Sequence, residues 1–239
     1  MGMKLYDETI RACRKLLEES GARALPLGDG GWPDVSDRSM ILRSDMAYEL
    51  GSGQLPAVGA TIVTANEALV PADALSLIGS DLSEIRQDSP YARVALVRVR
   101  EDTLGEGEKL YRAIRELEYT RYHFYPEGFM MRVSAANQKE SVRIGREALS
   151  RGLDFTKTGN RMISAFYKNP AVEAVSLTYV TEQEFDYRAL LGYVKEAEEI
   201  TKTIDHILKN VMMDCTACSL QKVCDEVEGL RELHFSNKG

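Results

Sequence analysis

Apolar residues recur along the chain at two spacings, one typical of strands and the other typical of helices. Short runs rich in branched apolar residues predict strands at residues 46–50, 57–64, 75–78, 93–100, 129–134 and 172–180. The segment 94–97 is apolar on both faces, which favours a central strand. Apolar residues three and four positions apart predict helices after Asp7, after Thr103, over about 137–152, around 162–167 and from about 182 to 211.

Capping signals indicate where these helices begin and end. The residues that predict helix starts are Asp7, Thr103 with Glu106, Asn137 with Glu140, and Thr181 with Glu184. Gly21 and Gly152 predict the ends of the first and third helices, because glycine adopts the left-handed conformation that stops a helix.

The order of the predicted elements indicates the fold class. Strands dominate the first half and helices the second, and the two kinds do not alternate strictly. This order favours an α+β fold, in which a mixed sheet is packed by helices and followed by a short C-terminal cysteine tail. The composition changes after about residue 211, so we expect a domain at 1–211 and a cysteine-rich tail at 212–239.

Composition and charge exclude several classes of protein. Of the 239 residues, 44 % are hydrophobic and 28 % are charged, which is typical of a globular chain that can bury a core. No apolar run is long enough to span a membrane, and the first residues do not resemble a signal peptide, so we expect a cytoplasmic protein without a membrane partner. The net charge of −7 argues against nucleic acid as a partner.

Three of the four cysteines lie within ten residues near the C-terminus. Cys215, Cys218 and Cys224 are followed by His234, which gives the pattern C-x2-C-x5-C-x9-H. Thiolates with an imidazole suit tetrahedral zinc, and three or four thiolates suit an iron–sulfur cluster. The sequence leaves open whether these are free thiols on a frayed terminus and whether His234 is a ligand or a surface side chain.

Other candidate residues have simpler interpretations. Cys13 lies on the apolar face of the first helix and is expected to be a core thiol. The glycine- and proline-rich segment 26–39, with Trp32, is expected to be a plain loop, and His123 is expected to pack among its aromatic neighbours. No Ser-His-Asp order and no H-E-x-x-H motif occurs, so the catalytic residues are unknown and a freestanding acyl-transfer enzyme is disfavoured.

Several short segments, taken in order, resemble one known family across nearly the whole chain. They are Met46-Ala-Tyr-Glu-Leu-Gly51-Ser-Gly53, Leu77-Ile78-Gly79-Ser-Asp81-Leu82, Glu127-Gly128-Phe129, the stretch from Gly152-Leu153 to Gly159, and Tyr179-Val-Thr181-Glu182. With the cysteine tail after them, the chain resembles the central domain and first cluster ligands of the acetyl-CoA synthase (beta) subunit of carbon monoxide dehydrogenase/acetyl-CoA synthase.

The resemblance implies a cofactor and a binding surface. In the family the cysteines, spaced C-x2-C-x8-C-x9-C, hold the [4Fe-4S] part of a nickel–iron–sulfur cluster. Here the second gap is five residues, His234 occupies the fourth position, and the later C-x-C pair has no counterpart. The family's arginine-rich surface for coenzyme A corresponds to a region that contains Arg112, Arg115, Arg121, Arg132, Arg143 and Arg146. Of these, Arg112, Arg115, Arg132 and Arg146 are the candidate coenzyme A ligands.

Two functions therefore remain open. The first is an acetyl-CoA synthase-like protein of anaerobic one-carbon metabolism that binds an iron–sulfur cluster or another metal. It would act with a protein partner of the carbon monoxide dehydrogenase/acetyl-CoA synthase or methyl-transfer system, and would not be a complete synthase by itself. The second is a non-enzymatic interaction module in which a zinc ion in a Cys3His site folds the tail.

Overall fold

Helices and strands account for most of the residues that the structure describes. The structure is a computed structural model that describes residues 4–29, 31–36, 40–104, 108–134, 139–208, 220, 222–223 and 227. The helices are α1 Asp7–Glu19, α2 Glu108–Tyr119, α3 Arg146–Ser150, α4 Phe155–Phe166 and α5 Tyr187–Leu208. The strands are β1 Arg23–Ala24, β2 Met46–Leu50, β3 Ala57–Thr64, β4 Ala74–Ile78, β5 Tyr91–Val99, β6 Phe129–Val133, β7 Glu140–Gly145 and β8 Val172–Val180.

The strands form two sheets. The larger sheet has the order β1-β4-β8-β5-β3, in which β4 with β8 and β5 with β3 are parallel and the other pairs are antiparallel. The smaller sheet has the order β2-β7-β6 and is antiparallel throughout. A mixed sheet and an antiparallel sheet, packed by helices, confirm the predicted α+β class. The predicted strands 93–100 and 172–180 lie side by side as β5 and β8, and the apolar run 94–97 is buried on both faces of the sheet.

The helices cover the large sheet and share its core. Helix α5 packs against α1, α2 and the edge strand β3, and α4 packs against β4 and β8. The buried apolar residues form one contiguous cluster, against which Val223 and Val227 of the tail also pack. The division into 1–211 and 212–239 stays a prediction, because most of the tail lies outside the described residues. None of the helices in the described part of the chain is long and apolar enough to cross a membrane.

The helix predicted over about 137–152 is wrong for most of its length. Residues 140–145 form strand β7, and only 146–150 form a helix. The physical reason is a period of two: Val142 and Ile144 are buried, whereas Ser141 and Arg143 between them are partly exposed. Glu140 does not cap a helix there, since its carboxylate is buried in the core.

Two further helix starts also differ from the prediction. Asp7 is the first residue of α1, and the N-cap position is occupied by Tyr6, whose side chain makes no capping hydrogen bond. The buried carboxylate of Asp7 instead accepts hydrogen bonds from Thr64 Oγ1 (3.1 Å) and Asn66 Nδ2 (2.7 Å), which ties α1 to the end of β3. Thr181 does not start the long helix either, because its hydroxyl donates to the carbonyl oxygen of Ser80 at 2.7 Å.

The long helix begins six residues later than the Thr181 signal. Helix α5 starts at Tyr187, and Asp186 Oδ1 accepts from the backbone N–H of Ala189 at 2.8 Å. Asp186 therefore supplies the capping hydrogen bond that the sequence assigned to Thr181. Of the remaining helix-start residues, Glu106 and Asn137 lie outside the described residues.

Candidate functional site

A cluster of one glutamate and two arginines lies on the outer face of the small sheet. Glu49 on β2 pairs with Arg143 on β7, and Arg143 pairs in turn with Met130 on β6. Arg132 lies two residues after Met130 on β6, so it is on the same face of the sheet as Glu49 and Arg143. Arg132 Nη1 lies 2.9 Å from Glu49 Oε1, and Arg143 Nε lies 3.3 Å from Glu49 Oε2. We call these three residues the Glu49 cluster.

The Glu49 cluster is open to solvent on one side. The Arg132 side chain is 48 % exposed, whereas the side chain of Glu49 is only 12 % exposed. Arg143 also donates to the carbonyl oxygen of Ile41, and Arg146, at the start of α3, donates to that of Met46 at 3.1 Å. The cluster therefore presents guanidinium groups to solvent above a carboxylate that fixes their position.

The other two arginines predicted to bind coenzyme A lie on α2. Arg112 is paired with Glu108 at 2.6 Å on the exposed side of the helix. Arg115 is paired with Glu118 at 2.6 Å, and it donates to the hydroxyl of Tyr119. The described contacts join Arg132 and Arg143 to each other through Glu49, and they include none between those two and the α2 arginines. Whether any of these arginines binds coenzyme A stays a prediction.

A cavity of about 170 Å³ lies between α2, α5 and the edge strand β3. Its walls include Glu118 of α2 and Glu198 of α5, and the hydrogen bond between Tyr6 and Thr201 closes one side. Burial raises the pKa of Glu118, although the charges of Arg115 and Arg121 oppose the shift. Burial also raises the pKa of Glu198, against the opposing charge of Lys202. Two carboxyl groups with raised pKa values therefore line the same cavity between the helices.

A fully buried ion pair joins the two sheets. Arg93 on β5 donates two hydrogen bonds to Glu140 on β7, at 2.7 and 2.8 Å, and neither side chain is exposed. Arg93 also donates to the carbonyl oxygen of Ala60. Burial acts to lower the pKa of Arg93, but the charge of Glu140 and its hydrogen bonds outweigh that effect and raise it. The pair is bidentate and charge-matched, which is the arrangement that a buried ion pair requires.

A glycine makes room for this pair. A Cβ atom at Gly59 on β3 would lie 2.2 Å from Glu140 Oε2, far inside van der Waals contact. The sequence analysis missed this group of residues. The sequence does contain one indication of the pair: Arg93 is a charged residue at the start of an apolar strand, and a charged residue there needs a buried partner.

The predicted metal ligands Cys215, Cys218, Cys224 and His234 lie outside the described residues. Among the described residues, no group of three or more His, Cys, Asp or Glu side chains could hold a metal ion. Two described residues beside the third cysteine are informative: Val223, which precedes Cys224, and Val227 pack against the core. Their backbones are joined by a hydrogen bond from Val227 N–H to the carbonyl oxygen of Val223.

The remaining sequence candidates have mixed outcomes. Cys13 is buried with no exposed surface, which confirms the core thiol. The described residues around Trp32 form a loop, as predicted, and the indole Nε1 donates to the carbonyl oxygen of Glu127. His123 is exposed, so the expectation that it packs among aromatic residues is wrong. The aromatic residue buried next to it is Phe124.

Comparison with known proteins identifies the family. A model of the family described as the CO dehydrogenase/acetyl-CoA synthase complex beta subunit matches residues 36–185, from the loop before β2 to the loop after β8. The match covers both sheets except for the short strand β1, and it includes the Glu49 cluster and the buried Arg93–Glu140 pair. The chain belongs to this family. No curated protein matches the chain.

Proposed function

We propose that this acetyl-CoA synthase-like protein binds an iron–sulfur cluster through Cys215, Cys218 and Cys224. Family membership supports the proposal, because the family resembled by the sequence uses cysteines at the corresponding place. The single observation in the structure that carries it is the packing of Val223 and Val227 against the core. Val223 directly precedes Cys224 in the sequence, so its contact with the core holds the chain to the domain one residue from a proposed ligand, which lowers the entropy cost of ligation.

The donor set fits such a group. Three thiolates suit iron–sulfur chemistry, and His234 or a group from a partner would complete four ligands. The part of the chain that the structure describes offers no other group of metal donors. When bound, a cluster of this kind would supply electron transfer or a site for a reactive metal. The role of this chain's residues is to hold it with thiolates and to anchor that segment to the core.

Variants of single cysteines test which residues are the ligands. We expect Cys218→Ala, prepared without oxygen, to lose most of its bound metal, because C-x2-C supplies two adjacent ligands. The matched control is Cys13→Ala, since Cys13 is a cysteine buried in α1, far in sequence from the tail. Metal bound equally by wild type and Cys218→Ala would show that the tail cysteines are not the ligands.

We also propose that the protein binds coenzyme A and acts with a partner protein. The observation that supports coenzyme A is the half-exposed Arg132 of the Glu49 cluster, because guanidinium groups bind phosphates in a bidentate way. Calorimetric titration of coenzyme A should show weaker binding for Arg132→Ala and unchanged binding for Lys15→Ala, an exposed lysine of α1. No heat of binding with the wild-type protein at millimolar coenzyme A would end this proposal. Co-purification with other subunits of the same enzyme system tests the partner.

The alternative is a structural zinc site. His234 follows Cys224 by ten positions, so a closed Cys3His site is chemically complete without a partner. A closed site would favour a module that folds its tail with zinc, whereas an open fourth position would favour chemistry. The identity of the bound metal distinguishes the two.

A further inference from the structure

A second cleft shares no lining residue with the Glu49 cluster. It has a volume of about 590 Å³ and lies where β5, α2 and α4 end. Arg100 follows β5, His123 lies in the 3-10 turn after α2, and Lys168 follows α4. We call it the Lys168 cleft. Three separate elements thus bring cationic or proton-donating side chains to one concave surface.

The lining of the Lys168 cleft is rich in donors and poor in acceptors. Arg100, His123 and Lys168 are exposed, and Thr120 adds a hydroxyl group. Glu116 is the only carboxylate among the described lining residues. This local excess of cationic side chains contrasts with the net charge of −7 of the whole chain.

Asn169 adds a donor whose orientation is fixed. Its Oδ1 accepts a hydrogen bond from the backbone N–H of Ala171 at 3.0 Å. Because that N–H group can only donate, the side-chain amide must present Nδ2 elsewhere. The loop that carries it is anchored to β5, since Arg100 N–H donates to the carbonyl oxygen of Ala171 at 3.0 Å. The cleft wall is therefore held by backbone hydrogen bonds.

Within the described residues, no strong ion pair neutralises the cationic side chains of the cleft. The nearest carboxylate oxygen to the Arg100 guanidinium is Asp102 Oδ1, at 3.7 Å, and both side chains are more than half exposed. Such a contact contributes little in water. Arg100 can therefore turn to an anion in the cleft without a large loss of stability.

We propose that the Lys168 cleft binds a phosphate group, either as the free anion or as the ester of a small organic molecule. A tetrahedral oxyanion accepts hydrogen bonds in several directions, which matches guanidinium, ammonium, hydroxyl and amide donors from different elements. The volume exceeds what one such group needs and lies in the range of clefts that hold small organic ligands. The alternative role of Lys168 and His123 is to offset the negative C-terminal ends of α4 and α2.

Titration calorimetry at low salt tests the proposal on the full chain, with inorganic phosphate, glycerol 3-phosphate and glycerol as probes. We expect both phosphates to bind and glycerol not to bind. Tighter binding of glycerol 3-phosphate would identify an ester site, and binding of inorganic phosphate alone would identify a free-anion site. Failure of both phosphates to bind at millimolar concentration would overturn the proposal.

Variants separate anion binding from the helix-end role. Lys168→Ala should weaken phosphate binding by about tenfold, because it removes a charged donor. Glu116→Gln should strengthen binding by roughly threefold, because it removes the opposing charge. Lys15→Ala should change nothing. If Lys168→Ala lowers the melting temperature and leaves phosphate binding unchanged, Lys168 only offsets the helix end and the proposal fails.

Discussion

The molecule contains two carboxylate–arginine groups that differ mainly in their exposure to water. The Arg93–Glu140 pair is sealed between the two sheets with no exposed surface. The Glu49 cluster lies on the outer face of the small sheet, where Arg132 is 48 % exposed. Both groups use short contacts between guanidinium and carboxylate, at 2.7 and 2.9 Å.

The difference in exposure separates a structural role from a binding role. A buried ion pair cannot be broken without leaving a charge out of water, so Arg93–Glu140 fixes the two sheets relative to each other. In the Glu49 cluster, water reaches the half-exposed Arg132, so the contact between Arg132 and Glu49 contributes less to stability. The same openness allows an anionic ligand to reach Arg132. Exposure, more than contact geometry, therefore indicates which arginines are available for function.

The largest expected effect is the loss of the buried carboxylate. Glu140→Ala should lower the free energy of unfolding by about 3–5 kcal/mol, because Arg93 would stay buried without a partner. Urea unfolding measures the change, and Glu199→Ala on the exposed side of α5 is the control, with a change of at most about 0.5 kcal/mol. The double variant Arg93→Met with Glu140→Leu should recover much of the loss. A single variant within about 1 kcal/mol of wild type would contradict the structural role of the pair.

The second effect concerns the space beside the same pair. Gly59→Ala should destabilise the protein by about 1–3 kcal/mol, because the added methyl group would overlap the Glu140 carboxylate. The matched control is Gly192→Ala in α5, where nothing beyond the adjacent residues and the local helix backbone lies within 4 Å of the added methyl group. That variant should gain up to about 1 kcal/mol, since alanine favours the helix. Equal melting temperatures for the two variants would show that Gly59 does not make room for Glu140.

The third effect tests the exposed cluster. Glu49→Gln should change the free energy of unfolding by no more than about 1 kcal/mol, because Arg132 remains hydrated and the amide oxygen of glutamine can still accept a hydrogen bond from Arg143. If coenzyme A binds here, the same variant should bind it more tightly, since Arg132 no longer shares its charge with a carboxylate. Calorimetry measures both the affinity and the protein's integrity. A loss of stability as large as that of Glu140→Ala would remove the contrast between the two groups.

The smallest effect is a dependence of stability on pH. Burial raises the pKa of Glu118 in the folded protein above its ordinary value, so the folded state binds this proton more tightly than the unfolded state. The resulting stabilisation is complete below the ordinary glutamate pKa and is lost as the pH rises through the raised pKa. Relative to Glu118→Gln, the wild type should therefore become less stable as the pH rises above the ordinary glutamate pKa of about 4.3. A difference that is constant over this range, or that grows with pH, would contradict the shift.

Much of the fold could be predicted because local pattern and burial agree. Residues 94–97 of β5 are a continuous apolar run, and this property alone predicts a central position in the sheet. Strand β7 was not predicted because Asn137 with Glu140 matches the pattern of a helix start. The alternation of Val142 and Ile144 with polar residues, which is typical of a strand, spans only a few positions. Thr181 likewise carries a capping signal, but a tertiary contact with Ser80 uses its hydroxyl.

The sequence alone could not predict which charged residues of the core and of the outer face pair with each other. Arg93 and Glu140 are 47 positions apart, and Arg132 and Glu49 are 83 apart. Which charges meet depends on how the two sheets are placed, and no local pattern encodes that. The cysteine tail is the opposite case, since its spacing is informative in the sequence and its ligands lie outside the described residues. The proposed metal site therefore has to be tested by metal analysis of the purified protein.

Quantitation of iron, zinc and acid-labile sulfide in the full chain, purified without oxygen, tests the proposed function most directly. The account predicts iron and sulfide bound together, about four of each per chain for a [4Fe-4S] cluster, and both lost in Cys218→Ala. Zinc at about one per chain without sulfide would contradict the cluster and identify a structural Cys3His site. A chain that binds neither metal under these conditions would contradict any metal role for Cys215, Cys218 and Cys224.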